Sequence, residues 1–193
     1  MARMKPWIER LRDLEGVLAL SDPRPAISAY HDMPYAIFHY DPEEEFLFRK
    51  ELDLLCTRLQ NKGKRVTRVS LAHLLDQAMQ SPVTWTELIE GEKSVGLPEA
   101  IETVSEILAT HRPLPDLVGE AMPVDADPTQ DVVFLWRTGA LFPCYRTFAL
   151  LEQMKGKVKA PTILCYPGTL DGPAGLKFLG VLEADHNYRP KIF

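Results

Sequence analysis

The feature of this sequence that most constrains its fold is a strand-to-helix junction near the start of the chain. The run Tyr35–Tyr40 is rich in aromatic and β-branched residues, which is typical of a buried strand. Asp41 then stands as a helix N-cap, Pro42 takes the first helical position, and acids at 43–45 favour the positive end of the helix dipole. The helix that begins here is predicted to end at Gly63.

Strand and helix patterns alternate along the rest of the chain, and this alternation favours a parallel sheet with right-handed crossovers. Apolar runs that predict covered central strands alternate with segments of helical periodicity. The sequence thus predicts an α/β fold, a three-layer Rossmann-like sandwich with a mostly parallel central sheet, a C-terminal edge hairpin and a helical insertion. The predicted segments are strands at 65–71, 132–136 and 161–166, helices at 72–79, 84–110 (in two pieces divided near Gly96) and 143–154, and an antiparallel hairpin formed by 176–182 and 187–193.

The length of 193 residues suits one α/β domain that spans residues 1–193. Residues 1–20 predict an N-terminal amphipathic helix, which either packs on the core or docks on a partner. Residues 84–130 predict a helical and proline-rich insertion, because four prolines follow the helical pattern. The last twenty or so residues of that insertion are interpreted as a long loop, an excursion from the sheet.

Charge and composition exclude several classes of protein. The chain has 22 Lys and Arg against 27 Asp and Glu, a net charge of −5, which argues against a protein whose main task is to grip nucleic-acid phosphates. Two small basic clusters, interpreted as solvated loops, are the alternative route to DNA: Lys62, Lys64, Arg65 and Arg68, and Lys155, Lys157 and Lys159. No apolar run is long enough to span a bilayer and no signal peptide is evident, so a cytoplasmic protein without membrane contact is expected.

Familiar catalytic and cofactor motifs are absent from the sequence. It has no GxxxxGK[ST] phosphate loop, no GxSxG elbow and no HExxH pair. The histidines show no ligand spacing, and each is interpreted as a loop or surface residue. Three scattered cysteines, Cys56, Cys144 and Cys165, do not make a disulfide framework or a metal knuckle. We therefore expect no cofactor and no recognisable catalytic set.

Polar residues and tight turns follow three of the predicted strands. If those strands are parallel neighbours, their carboxyl ends meet at one edge of the sheet, where open α/β folds bind ligands. Each polar or turn residue at these strand ends also has a structural explanation, as a helix cap, a glycine required by a turn, or an arginine paired with a nearby group. The candidate ligand or partner contacts are Asp41, Arg137, Thr138, Gly139, Arg146, Pro167, Gly168, Thr169 and Asp171.

Four segments, taken in order, resemble the BrxB family of bacteriophage-exclusion (BREX) systems. In the first segment, a strand is followed by Thr-Gly-Ala, a proline and an arginine within residues 134–146, and then by Leu150-Leu151-Glu152; this order resembles a pattern of the family. Residues 161–169 followed by 176–180 resemble a strand that ends in PGT, then a second short strand ending in glycine. Residues 37–44 and 185–189 resemble the first strand with its acidic helix start and the DxNYYR-like ending of the same family.

The resemblance implies a small component of an antiphage defence island that also encodes a DNA methyltransferase, a phosphatase-like PglZ protein and a large ATPase. It supplies no catalytic residues. It implies a non-catalytic accessory subunit that acts through protein–protein contacts with other BREX proteins, PglZ in particular, and that reaches DNA only indirectly. The alternative is a nucleotide- or small-ligand-binding α/β enzyme that uses Asp41, Arg137 and Asp171.

Overall fold

Strands and helices alternate through most of the chain in the computed structural model, which describes residues 7–28, 33–80, 85–172, 175–184 and 190–193. The strands are β1 (Tyr35–Tyr40), β2 (Arg65–Ser70), β3 (Asp131–Trp136), β4 (Thr162–Asp171), β5 (Gly175–Phe178) and β6 (Lys191–Ile192). The helices are α1 (Trp7–Leu18), α2 (Arg24–Ile27), α3 (Glu45–Asn61), α4 (Leu71–Met79), α5 (Trp85–Val95), α6 (Leu97–Glu106), α7 (Leu114–Ala121) and α8 (Thr147–Gln153). Pro42–Glu44 and Thr138–Leu141 form 3-10 turns, and Ile107–His111 continues α6 as a π-helical turn.

The described strands form a mostly parallel sheet in the order β2-β3-β4-β1-β6. Every pair along this path is parallel, and β5 alone pairs antiparallel, with the end of β4. Residues of the central strands alternate between two apolar clusters, so both faces of the sheet are covered. Helices α1, α2 and α3 cover one face, and α4, α6, α7 and α8 cover the other. The predicted three-layer α/β sandwich is confirmed.

Helix α1 packs on the core. Its predicted apolar stripe, Trp7, Leu11, Leu14 and Leu18, is buried together with residues of α3 and β1. The indole N–H of Trp7 donates a hydrogen bond to the carboxylate of Glu44. Of the two roles that the sequence allowed for this helix, the structure shows core packing, which leaves its apolar stripe unavailable to a partner.

The C-terminal hairpin differs from the prediction in its partners. The predicted hairpin joins 176–182 to 187–193, whereas β5 pairs with Gly168–Asp171 of β4, and β6 pairs parallel with β1. Strand β4 therefore continues through Pro167 and Gly168, where the sequence predicted a turn. A proline is tolerated here because β1 ends opposite Pro167, so no further ladder hydrogen bond from β1 requires its missing N–H.

Two helix boundaries also correct the prediction. The proline-rich segment contains α7, whose start has Pro113 at the N-cap and Pro115 in the first turn, where a missing N–H costs nothing. Leu114, Leu117 and Val118 bury this helix against the sheet, so the predicted long loop was wrong. Helix α8 begins at Thr147 rather than near residue 143, after the turn that follows β3.

Gly16, on the exposed side of α1, provides a test of helix stability. A Cβ added there meets nothing within 4 Å. We expect Gly16→Ala to raise the free energy of unfolding by about 0.5–1 kcal/mol, because alanine loses less backbone entropy in a helix. The control is Gly63→Ala, which has equal space but a φ of +84°, and which should cost about 1 kcal/mol. Urea unfolding measures both, and a destabilised Gly16→Ala variant would contradict the placement of Gly16.

Candidate functional site

A cleft lies at the carboxyl ends of β1, β3 and β4. Because β4 pairs parallel with both β1 and β3, the three ends share one edge of the sheet, as predicted. The helix that follows β1, α3, packs on one face of the sheet, and the helix that follows β3, α8, packs on the other face. A crevice forms at the strand ends because these two connections run to opposite faces. The strand-end cleft has a volume of about 300 Å³ and is lined by Pro42, Glu45, Arg49, Arg137, Gly139, Ala140, Pro167 and Leu179.

Three of the predicted site residues line the strand-end cleft, namely Arg137, Gly139 and Pro167. Asp41 lies beside it, next to Pro42, and its carboxylate accepts a hydrogen bond from the N–H of Glu43 at 3.0 Å. Asp41 is therefore the helix cap that the sequence indicates. At this edge it serves to start the turn that leads into α3.

The other predicted residues lie away from the cleft surface. Thr138 is fully buried, and its hydroxyl donates to the carbonyl of Cys165 at 2.6 Å, which ties the turn after β3 to β4. Thr169 and Asp171 lie on the extension of β4 that pairs with β5, where the carboxylate of Asp171 is 3.5 Å from the Lys177 ammonium. Arg146 precedes α8 as its N-cap residue. The predicted trio Asp41, Arg137 and Asp171 contributes only Arg137 to the cleft lining.

Gly168 has a steric role beside the cleft. A Cβ at this position would lie 2.3 Å from the carbonyl oxygen of Lys177 and 2.5 Å from the ring of Tyr166. Only glycine allows β5 to approach β4 this closely. The N–H of Leu179, just beyond β5, donates to the carbonyl of Pro167 at 2.9 Å and so brings Leu179 to the cleft.

The two arginines of the cleft differ in their surroundings. Arg49 is 2.7 Å from the carboxylate of Glu45, which also accepts a hydrogen bond from the hydroxyl of Tyr40. Burial and the neighbouring Glu45 raise the pKa of that tyrosine. Arg137 is exposed, with its guanidinium 6.0 Å from the ring centre of Trp136, and among the described residues no carboxylate lies within ion-pair distance of it. Arg137 therefore gives the cleft its uncompensated positive charge.

Two exposed apolar side chains lie within two residues of the cleft lining along the chain. Phe46, beside Glu45, is 74% exposed, and its ring lies 5.2 Å from the guanidinium of Arg49. Val181, two residues beyond Leu179, is 70% exposed. Five lining residues were not predicted from the sequence, namely Pro42, Glu45, Arg49, Ala140 and Leu179. The spacing of Glu45 and Arg49, one helical turn apart, was the available signal for the ion pair.

His39 is buried in β1, so its interpretation as a loop or surface residue was wrong. Burial, and to a smaller extent the nearby positive charge of Arg10, lower the pKa of this imidazole to about 4, against a hydrogen bond with the Gly168 backbone that raises it. Neutral His39 therefore helps to hold β1 beside the Gly168 segment. His73 and His111 are exposed, and His31 and His186 lie outside the described residues.

The depressed pKa of His39 predicts a loss of stability in mild acid. The unfolded chain binds a proton near pH 6.5 and the folded chain only near pH 4, so folding is favoured fully above 6.5 and progressively less as the pH falls to 4. We expect the free energy of unfolding to fall by about 2 kcal/mol because of this group when the pH is lowered from about 7 to about 4.5. Urea unfolding should show this loss in the native chain and not in His39→Gln; equal losses in both would contradict it.

The basic cluster near residue 65 is held by internal contacts. Lys62 and Arg58 both lie 2.6 Å from the carboxylate of Glu15, and Lys64 donates to the carbonyls of Leu20 and Thr129. Arg65 forms two hydrogen bonds with Asp131, at 2.9 and 2.6 Å, and Arg68 pairs with Asp53. These four predicted cations are thus engaged within the fold.

In the second predicted basic cluster, the ammonium of Lys157 is 3.5 Å from the carboxylate of Asp116. Within the described ranges, no group of three or more potential ligand residues is arranged to hold a metal ion.

No described helix is both long and apolar enough to cross a bilayer.

A family model and a similar protein both point to the same family. A family model described as "BREX protein BrxB" matches residues 67–192 of the chain, which include Arg137, Pro167 and Leu179 of the cleft. The BREX protein BrxB of Bacillus cereus (strain H3081.97) is 26% identical over 161 residues, which cover 82% of this chain and 82% of that protein. No solved structure is significantly similar to the chain.

Proposed function

Because the chain belongs to the BrxB family of BREX phage defence, we propose that it is a cytoplasmic, non-catalytic accessory subunit that docks on other BREX proteins, PglZ in particular, through the strand-end cleft. Membership of this family identifies the system to which the chain belongs. The strand-end cleft is the proposed contact surface because its lining combines an unpaired arginine with apolar groups.

Backbone strain at the cleft is the observation that carries the proposal. Among the described residues, three that are not glycine have a positive φ: Asp125, Arg137 (+56°) and Leu179 (+52°). Aspartate tolerates this conformation, whereas arginine and leucine do so at a cost of about 1–2 kcal/mol each. Both of the latter line the cleft. Strain of this kind is retained where the position of a side chain matters to function.

The side chains at the cleft are those that protein interfaces favour. Aromatic residues and arginine are enriched at the energetically important centres of interfaces, because they bury a large area at a small cost in entropy. Phe46 exposes most of its ring beside Arg49, and Arg137 adds a planar guanidinium to the cleft lining. A partner that inserts a carboxylate near Arg137 and apolar groups against Phe46 and Leu179 would cover this surface.

The polar groups near the strand ends support a non-catalytic role. Asp41 caps the turn after β1, Glu45 is engaged by Arg49 and Tyr40, and Thr138 is buried against Cys165. Asp41, Glu45 and Thr138 are thus each committed to a structural contact, which favours a role in holding the strand ends over proton transfer to a substrate. The internal pairing of Lys62, Lys64, Arg65 and Arg68 supports the view that the protein reaches DNA through its partners.

Co-purification tests the proposal directly. An affinity-tagged chain, expressed with the PglZ protein of its own BREX system, should retain PglZ, and Phe46→Ser should reduce the retained amount by about tenfold. The control is Leu54→Ser, which changes an equally apolar side chain, 53% exposed, on the same helix but away from the cleft. Failure of the native chain to retain PglZ, or equal loss with both variants, would contradict the proposal.

Ligand binding is a second candidate function, favoured by the cleft volume and by its two arginines. A volume of 300 Å³ lies at the lower end of small-molecule sites. If the cleft binds a phosphate compound, saturating ADP with Mg²⁺ should stabilise the chain by about 2–3 kcal/mol in thermal unfolding, and Arg137→Ala should abolish the effect. The accessory-subunit proposal predicts no stabilisation by ADP.

A further inference from the structure

Helix α5 has no buried residue along its length. Leu88 packs partly against the core, and the indole N–H of Trp85 donates to the Asp76 carboxylate at 2.7 Å. An isolated helix of eleven residues is marginal in water, so α5 gains little from its own length. The described residues of α5 and α6 nevertheless expose four large apolar side chains: Trp85 (40%), Ile89 (49%), Val95 (60%) and Leu97 (58%).

Acidic side chains surround these apolar groups. The segment from Trp85 to Glu106 contains one lysine and six exposed glutamates, Glu87, Glu90, Glu92, Glu99, Glu102 and Glu106. Its net charge is therefore −5, equal to that of the whole chain, so the remaining residues are neutral in sum. The acidity of this protein is concentrated on one helical pair, which lies on the face of the sheet opposite α1 and α3.

A narrow slot of about 90 Å³ runs between α5 and α6. Its lining combines apolar groups of Leu88, Val95 and Ala100 with the side chains of Glu87 and Glu92. This arrangement suits a lysine or arginine side chain, whose alkyl stem packs on apolar atoms while its charged head stays beside carboxylates.

We infer that the surface formed by α5 and α6 docks a basic amphipathic helix of another protein, one of whose lysine or arginine side chains enters the slot between Glu87 and Glu92. Charge selects this occupant. Two copies of the surface would repel each other because each carries a net charge of −5, and the same negative charge would repel nucleic acid or an anionic membrane. Apolar residues at helical spacing on the partner would cover Ile89 and Val95, as in other helix-in-groove complexes.

This docking surface does not include the strand-end cleft, so its test is independent of the proposed function. The chain is expressed with the proteins of its BREX system, and benzoylphenylalanine, a photo-reactive amino acid, replaces Ile89. We expect a crosslink to a segment rich in lysine and arginine on another protein, identified by peptide mass spectrometry. The matched control places the same group at Val124, which is 91% exposed outside α5 and α6 and should give no such crosslink.

The charge of the slot is tested by Glu87→Gln with Glu92→Gln, a pair of changes that keeps the side-chain size. The crosslink yield at Ile89 should fall by about tenfold, because the partner's cation loses both carboxylates. The inference is overturned by a crosslink to a second copy of the chain, by a crosslink to an acidic or uncharged segment, by an unchanged yield in the double variant, or by no crosslink above the Val124 control.

Discussion

Replacing Gly168 with alanine is expected to lower the free energy of unfolding by about 3 kcal/mol and the melting temperature by about 6–12 °C. The added Cβ would lie 2.3 Å from the carbonyl oxygen of Lys177 and 2.5 Å from the Tyr166 ring. The carbonyl belongs to the β4–β5 ladder, so relief requires the strands to separate. The residue that follows the ladder, Leu179, would then shift away from the cleft.

Gly139→Ala is the control for this prediction. It also adds one methyl group beside the cleft, but its nearest contacts are Pro167 at 3.6 Å and Leu179 at 3.7 Å, which are ordinary van der Waals distances. We expect a change within about 0.5 kcal/mol. Thermal and urea unfolding of the two variants check the pair, and a Gly168→Ala variant as stable as Gly139→Ala would show that β5 does not lie this close to β4.

Replacing Arg137 with glycine is expected to change stability and partner binding in opposite directions. Glycine adopts a φ of +56° without the steric cost that arginine bears, so the free energy of unfolding should rise by about 0.5–1 kcal/mol. Removal of the guanidinium should at the same time weaken PglZ binding by about tenfold or more. A purely structural role for Arg137 would give no loss of binding in a stabilised protein.

Arg137→Lys separates the two effects. Lysine keeps the positive charge and the strained backbone, but it lacks the planar fork that binds a carboxylate through two hydrogen bonds. We therefore expect unchanged stability and a binding loss smaller than that of Arg137→Gly. Equal binding by the native chain and both variants would remove Arg137 from the interface.

Local signals explain what the sequence predicted well. Asp41 and Pro42 specify the start of a helix through hydrogen bonds and dihedral angles within four residues, and the structure has the turn there. The apolar runs of β1, β3 and β4 indicate strands covered on both faces, and such strands are parallel neighbours in α/β sheets. The meeting of their ends in one cleft followed from these two facts.

The errors arose where local signals have two meanings. Pro167 and Gly168 are typical of a turn, yet here glycine permits the approach of β5 and proline stands opposite the end of β1. Prolines 113 and 115 suggest a loop, yet both suit the start of a helix. The choice depends on the neighbours in space, which the residues near each proline do not encode.

Other features of the site had no sequence signal. Arg137 and Leu179 adopt a left-handed backbone that neither residue type favours, so their identity does not indicate it. The amphipathic patterns of α1 and α5 are alike, but α1 is buried against α3 while α5 remains exposed. Periodicity predicts an apolar face and does not specify whether the core or a partner covers it.

Isothermal titration calorimetry of the purified chain with the PglZ protein of its own BREX system shows whether the two proteins bind through the strand-end cleft. We expect saturable binding to the native chain, a similar affinity for Leu54→Ser, and an affinity reduced by about tenfold or more for Arg137→Gly. Absence of binding to the native chain, or an affinity for Arg137→Gly equal to that of the native chain, would contradict the claim that the strand-end cleft is the docking surface.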